Sequence, residues 1–337
     1  MRITGGSDLA RLQAQQRLAV ETRNRLDVAG QEMSSSLKAD RFEATGGNLT
    51  RLFALERSLD RNEVFKNNIA LTELRLDVMQ ESLGSVLSSV QDLSLDLSQA
   101  VGQGDYTTAM LHASTARENF LANVGTLNTQ VAGQSIFAGT ATATAALAPG
   151  AAILADIDAL VAGTTTAAGA TAAIDAYFSK SPPGAFYTSG YLGAGADLTP
   201  VQVGEGQSVD YGLRAEDDRL VAALRSQAMA AVVADGAFTG SQGEQLALLG
   251  AAGQRMLDAK DGMLGLRSEV GVKQEIVERA KAARTSERET LDLARTRIVA
   301  TDPLESASAY QTLQTQLETV YTVTARLSTL RFLDYLR

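Results

Sequence analysis

The stretch IALTELRLDVMQESLGSVLSSVQDLSLDL, residues 69–97, decides the fold. Ile69, Leu76, Met79, Leu83, Val86, Val90, Leu93 and Leu97 recur at alternating spacings of three and four, with Thr72 as the one polar step. That alternation is the seam of a coiled coil, in which a single apolar stripe faces a partner helix. A helix from Leu49 to Val101 would run roughly 80 Å at ~1.5 Å per residue. Gly102-Gln103-Gly104-Asp105 ends it, and Asp105 is placed to cap a following helix whose apolar positions are Met110, Ala113, Phe120, Val124, Leu127 and Val131.

The C-terminal third answers this pattern. Leu249, Met256, Met263, Val270, Val277, Leu291 and Ile298 share one seven-residue register, with Arg284 out of character. A second column, Ala252, Ala259, Leu266, Ala280 and Ala294, is mostly small and allows close helix approach. Asp302-Pro303-Leu304-Glu305 reads as a helix start: a cap, a proline at the first helical position, and a glutamate in reach of the cap. Tyr310, Leu313, Leu317, Val320, Thr324 and Leu327 then alternate, followed by Leu330, Phe332, Leu333 and Leu336. At the other end Leu12, Ala19, Leu26 and Met33 fall seven apart, close behind Leu9, before a break at Thr45-Gly46-Gly47-Asn48.

Both ends of the chain are therefore amphipathic helices, each separated by a break from a longer helix on its inner side. The simplest path goes out, makes a loop domain and returns. The long helices then pair antiparallel, and the terminal helices pair with each other. Helices of this kind bury little against their own chain, so their seams call for neighbouring subunits. The candidate assembly interface is Leu9, Leu12, Ala19, Leu26 and Met33 with Leu313, Leu317, Val320, Leu327, Leu330, Leu333 and Leu336.

Between Thr140 and Asp210 the composition shifts to Ala, Thr and Gly, and Pro149, Pro182, Pro183 and Pro200 all fall there. This segment reads as an inserted domain. Ile153 to Val161 and Ala172 to Phe178 suit short helices. Phe186, Tyr187, Tyr191, Val201, Val203, Val209 and Tyr211, punctuated by Gly, suit short strands. The expected fold is mainly α, a long antiparallel coiled-coil-like bundle built from both chain ends, with a small inserted mixed or mainly β domain. Its expected divisions are a terminal helix over 1–44, a rod over 45–139, the insertion over 140–210, the returning rod over 211–301 and a terminal helix over 302–337.

Composition narrows the function. Among 337 residues there is no Cys, no Trp and one His, and aromatic residues make up 5%. The missing cysteine excludes disulfides, thiolate nucleophiles and Cys-ligated metals. The net charge of −9 and the interleaving of Arg17, Arg23 and Arg25 with Glu21, Asp27 and Glu32 describe a mixed, solvated face, not a basic stripe, so no nucleic-acid partner is expected. No apolar run has signal-peptide or membrane-spanning length, and the polar faces are not rich in Lys, so no membrane partner is expected either.

Local constellations give no chemistry. His112 stands alone, and a metal site needs several converging ligands. Glu216-Asp217-Asp218 is contiguous, unlike a calcium loop, and suits a helix start before Leu220 and Leu224. Gly193-Ala194-Gly195 and Gly204-Glu205-Gly206 lack the continuation of a phosphate loop and read as turns. The threonine runs at Thr140–Thr144 and Thr164–Thr166 read as loop, with glycosylation the alternative. No catalytic, cofactor-binding or metal-binding residue is assigned, and an enzyme is not expected.

The layout resembles the flagellin family, whose members have discontinuous helical ends flanking a variable outer domain. Met33-Ser34-Ser35-Ser36-Leu37-Lys38 is similar to that family's turn after the first helix, with Ser36 where the family commonly has Gly. The family's following Asp-Asp-Pro is replaced by Asp40-Arg41-Phe42 and Gly46-Gly47-Asn48. Gly133-Gln134-Ser135-Ile136-Phe137-Ala138-Gly139-Thr140 is similar to the turn by which these proteins leave the helical domain. Tyr321 to Leu336, with Ala325-Arg326-Leu327-Ser328 and Phe332-Leu333-Asp334-Tyr335-Leu336, resembles the end of the family's hook–filament junction members. The resemblance covers both arms and leaves out the middle. It implies a structural subunit of the bacterial flagellum joining hook to filament, packed against copies of itself, hook-associated protein and flagellin. It also implies an extracellular location reached by flagellar type III export without a cleavable signal, and an export chaperone on the C-terminal helix. A filament flagellin of the same family and, from a different class, a cytosolic coiled-coil scaffold remain open readings.

Overall fold

The computed structural model describes residues 5–335, with side chains described at position 10 and from 13 to 326. In chain order the elements are α1 (Gly5–Ser35), α2 (Arg41–Ala44), α3 (Thr50–Gln103), α4 (Tyr106–Leu127), β1 (Gln130–Val131), β2 (Gln134–Ser135), α5 (Gly150–Val161), α6 (Ala167–Tyr177), a one-turn π-helix (Phe186–Gly190), β3 (Val201–Gly204), β4 (Gln207–Val209), α7 (Asp218–Ala234), α8 (Gln242–Val299) and α9 (Pro303–Tyr335). The molecule is mainly α-helical. Among the described residues its sheets are two antiparallel hairpins, β1–β2 and β3–β4.

By contact the chain divides into two compact units, Val64–Arg284 on one hand and Met1–Glu63 with Thr285–Arg337 on the other. Residues 140–210 fall wholly inside the first of these, and the division by contact falls within α3 and α8, at 63/64 and 284/285.

In the unit Val64–Arg284 the seam of α3 is buried along its length, from Ile69 through Leu76, Met79, Leu83, Val86, Val90 and Leu93 to Leu97. Thr72 is buried with them, its hydroxyl donating to the Asn68 carbonyl at 2.8 Å, so the polar step leaves no hydroxyl unmet. The facing helix is α8. Glu73 meets Lys281 at 2.8 Å and Asp77 meets Gln274 at 2.7 Å, while Gly253 lies against Leu97 and Ser98, and Gly250 against Val101. Rising numbers on α3 match falling numbers on α8, which is an antiparallel pairing. The small column on α8 sits where the two helices approach: Ala252, Ala259 and Ala280 are buried beside Met256, Met263, Val270 and Val277. Arg284 lies 6.0 Å from the centre of the Phe65 ring, which explains how a charge holds an apolar register position.

α4 returns from the α3 end through Gly104, whose φ of 69° is the left-handed conformation that glycine adopts without strain. Asp105 caps α4 as the sequence predicts, accepting from the Thr108 N–H at 3.1 Å and its hydroxyl at 2.6 Å. These bonds hold its carboxyl below the usual range. α7 packs along α4. One buried polar triad joins three helices: the Asn123 amide donates to Ser89 Oγ at 2.8 Å and to Gln227 Oε1 at 2.9 Å, and Gln227 donates to Ser89 Oγ at 3.1 Å.

The insertion docks on this bundle as a mixed domain, two helices and the β3–β4 hairpin, not as a mainly β one. α5 and α6 pair and touch α7, and α5 also touches α4. Ile153, Leu154, Ile157, Val161 and Ile174 join the same apolar core. Asn128, just past α4, pins the segment by donating to the Leu147 carbonyl at 3.0 Å and accepting from the Leu147 N–H at 2.8 Å. Of the residues expected in strands, Val201, Val203 and Val209 are in the β3–β4 hairpin. Phe186 and Tyr187 instead form part of the π-helix, with Phe178–Phe186 and Phe186–Tyr187 ring centres 5.0 and 5.3 Å apart. Tyr191 makes one isolated bridge with Leu147, and Tyr211 lies outside β4. These aromatics are spaced like a strand but are used to fill a core between helices, where ring packing outweighs backbone preference.

Candidate assembly interface

In the second unit the terminal helices α1 and α9 pack against each other. Gly30 sits under the Tyr310 ring so closely that a Cβ there would stand 3.3 Å from it. Among the described residues, Thr22 and Ala29 are the buried positions of α1, and Ser306 is buried on α9. Small residues at these points let the two backbones approach, as a larger side chain would hold them apart.

The sequence-predicted seam lies on this pair. Ala19, Leu26, Leu313, Leu317 and Val320 are half-buried, and Met33, near the end of α1, is 44% exposed. Leu9, Leu12, Leu327, Leu330 and Leu333 belong to the helices, but their side chains, like the whole of Leu336, lie outside the described residues. Half-burial means that the pairing of α1 with α9 covers only part of each apolar face. Leu18 and Val20 on α1 and Tyr321 on α9 stay more than half exposed.

A groove of about 570 Å³ runs between the two helices, lined by Leu18, Thr22, Thr312, Thr315, Gln316, Thr319 and Val320. None of these residues is charged. The threonines are internally satisfied: Thr22 donates to the Leu18 carbonyl at 2.7 Å, Thr312 to Ser308 at 2.8 Å, Thr315 to Gln311 at 3.0 Å and Thr319 to Thr315 at 2.8 Å. Thr322 and Thr324 bond in the same way at 2.8 and 2.7 Å. Sequence reading missed Thr22, Ala29 and Gly30 because it followed the large apolar residues. The signal that points to them is the run of small residues Thr22, Ala29 and Gly30 three or four places from Ala19 and Leu26.

Below the pair, the chain turns are joined. Leu37 and Ala300 form an antiparallel bridge, with the Lys38 N–H donating to the Val299 carbonyl at 2.8 Å and the Thr301 N–H to the Ser36 carbonyl at 3.1 Å. Ser36 has a φ of 58°, the left-handed region. Asp302 caps α9 through the Leu304 N–H at 2.8 Å; its companion is Ser306, whose hydroxyl meets Thr301 Oγ1 at 2.8 Å. The same unit holds Asn62 against Glu287 at 3.2 Å and an Arg288–Glu63 ion pair.

The other candidate constellations resolve into structural roles. His112 is a largely covered side chain on α4, 3.9 Å from Asp96. Asp217 caps α7, accepting from the Arg219 N–H at 3.0 Å. Burial pushes its carboxyl up, but bonds from the Arg219 side chain and backbone outweigh this and hold it low. Glu216 pairs with Arg214 and Asp218 with Lys180. Gly204-Glu205-Gly206 turns the β3–β4 hairpin, with Gly206 at φ 68°. Thr166 caps α6 by accepting from the Gly169 N–H at 3.1 Å. Among the described residues no group of three or more His, Cys, Asp or Glu is placed to hold a metal ion. Nor is any helix among them long and apolar enough to cross a membrane.

Comparison with known proteins agrees with this geometry. Residues 244–336, which run from the first turn of α8 through α9, match the family described as the bacterial flagellin C-terminal helical region. The fold is similar to that of a flagellar hook-associated protein from Vibrio parahaemolyticus, with a TM-score of 0.52 and 17% identity, covering 73% of this chain and 94% of that one. It is likewise similar to FlgL of Bacillus cereus, with a TM-score of 0.51 and 16% identity, covering 72% of this chain and all of the other. No curated protein sequence matches the chain.

Proposed function

We propose that this chain is a flagellin-type structural subunit of the bacterial flagellum that joins hook to filament, and that it acts by packing its terminal helices against neighbouring subunits. The observation that carries the reading is that the flagellin-type region, 244–336, takes in α8 and α9, and that α9 supplies one side of the half-covered α1/α9 face. A helix pair that buries only part of its apolar surface is completed by other helices. The occupants are copies of the same chain and the adjoining hook-associated protein and flagellin. The chain performs no chemical step, and its mixed-sign faces suit neither nucleic acid nor a membrane surface. Export proceeds through the flagellar apparatus, with a chaperone covering α9 until assembly.

Immunogold electron microscopy of intact flagella tests this. Label confined to a short zone between hook and filament is the expected result. Label along the whole filament makes the chain a filament flagellin, a reading that the flagellin-type match at 244–336 favours equally. Label absent from flagella and present in the cytosol overturns both in favour of a scaffold. Deleting residues 328–337 should leave cells with hooks but without attached filaments.

A further inference from the structure

We propose that the cleft between the last turns of α1 and α8 is a carboxylate-binding site, filled in the assembly by an acidic side chain from a second copy of this chain. The cleft holds about 200 Å³, and its polar lining includes Gln31 of α1, Lys38, Arg41 of α2, Glu56 of α3 and Arg295 of α8. Its charges do not balance. Glu56 is the one carboxylate in the lining, and Arg41 already donates to it at 3.2 Å. Among the described residues Lys38 and the half-buried Arg295 make no ion pair, and the Gln31 side-chain amide has no partner. The carboxylates next along the chain are engaged by backbone. Glu32 accepts from the Ala39 N–H at 2.8 Å, and Asp40 accepts from the Phe42 and Glu43 N–H groups at 2.8 and 3.1 Å. The C-terminal ends of α1 and α8 offset about half a positive charge each, which leaves the cleft with an excess of about one. A guanidinium partly withdrawn from water, beside an ammonium and an amide donor and with no acceptor to meet, fits a group with two oxygens and a negative charge.

The distribution of charge points to the occupant. The unit Met1–Glu63 with Thr285–Arg337 holds 16 Lys and Arg against 16 Asp and Glu, whereas Val64–Arg284 holds 14 against 23. The whole net charge of −9 therefore lies in Val64–Arg284, and the cleft lies in the neutral unit. In a polymer of identical chains the acidic unit of one copy offers the carboxylate that the cleft of another lacks. That step rests on the assembly function proposed above; the cleft itself does not.

Two measurements test the two steps separately. Phenylglyoxal modifies free guanidinium groups, and mass spectrometry of the purified full chain reads the reaction at each arginine. Citrate, a tricarboxylate, added at constant ionic strength so that general screening is unchanged, should slow modification of Arg295 by about threefold or more. It should leave Arg297, exposed and outside the cleft, unaffected. Equal rates at Arg295 with and without citrate overturn the site whatever the protein's cellular role. The second measurement treats isolated flagella with a carbodiimide, which joins a lysine amine to a carboxylate in contact with it. Lys38 should be found joined to an Asp or Glu between residues 64 and 284, in the band of twice the subunit mass and not in the single-subunit band. Lys38 joined only within its own chain, or to a different protein, overturns the second-copy occupant. A chain absent from flagella ends the assembly reading and that occupant with it, while the citrate result decides the site by itself.

Discussion

The carboxylate of Glu244, in the first turn of α8, accepts a 2.6 Å hydrogen bond from the backbone N–H of Ala167, the first residue of α6. The first N–H groups of a helix have no partner inside it, and negative charge is favoured at that end. The insertion is therefore capped by a residue from a helix 77 positions away in sequence. Glu244→Ala should cost about 1–2 kcal/mol, and Glu244→Gln, which keeps an acceptor, about half of that. Urea denaturation measures the cost, and amide exchange should quicken over residues 167–177 first.

The Asn123–Ser89–Gln227 triad predicts strong coupling. Gln227→Leu leaves the buried Asn123 amide with one partner instead of two and should destabilise by about 2 kcal/mol. Asn123→Leu should cost a similar amount. The double variant should lose clearly less than the two single losses combined, because it removes the orphaned group along with its partner. A double-mutant cycle by chemical denaturation reads this directly.

At Ser36 the backbone is left-handed, a conformation that costs an ordinary L-residue roughly 1–2 kcal/mol and glycine almost nothing. Ser36→Gly should therefore stabilise the chain by up to about 1 kcal/mol, once the greater freedom of glycine in the unfolded chain is subtracted. Ser36→Val should destabilise it by at least about 1 kcal/mol. Denaturation midpoints for the three chains should fall in the order Gly, Ser, Val.

Asp158 on α5 gives stability a pH dependence of unusual sign. Burial pushes its carboxyl up to about 6, nearby Asp235 adds to the shift, and Arg117 opposes it. An unfolded aspartate titrates near 3.9. The folded state thus holds this proton more tightly, so the stability it confers is complete below about pH 4 and is lost as the pH rises through 6. Asp105, Asp175, Asp217 and Glu269 are shifted down and act in the opposite sense, contributing stability above about pH 4 that is lost on acidification. Asp158→Asn should flatten the stability profile between pH 4 and 6 and leave the protein more stable than wild type at pH 7. An unchanged slope across that window would count against the assignment.

The parts of the fold written in large apolar residues were legible. The spacing at Ile69–Leu97 and the register Leu249–Val277 gave two facing helices because each seam, once helical, had one face to hide. The caps at Asp105 and Asp302 were readable because a short acidic side chain before a helix has one main use. The middle was harder. Phe186, Tyr187 and Tyr191 carry the same residue types as a strand, and only the packing of Phe186 between Phe178 and Tyr187 shows that they fill a core. At the candidate interface the reading found the large residues and missed the small ones. Thr22, Ala29 and Gly30 carry little hydrophobic signal, yet they decide how near α1 and α9 come.

Gly125 and Gly271 lie inside α4 and α8, and a Cβ at either would meet nothing within 4 Å. Each glycine-to-alanine change should stabilise the isolated subunit by about 0.5–1 kcal/mol. A variant that gains stability alone but assembles poorly would mark that glycine as a point where a neighbour comes close.

The threonines of α9 direct their hydroxyls into their own helix, which leaves γ-methyl groups for the groove that Thr312, Thr315 and Thr319 line. Such a surface is chemically undemanding: it asks a neighbour for shape but not for a matching donor or acceptor. A coupling piece set between two different polymers has to meet two different neighbours with one sequence, and a methyl-coated face is indifferent to which of them it meets.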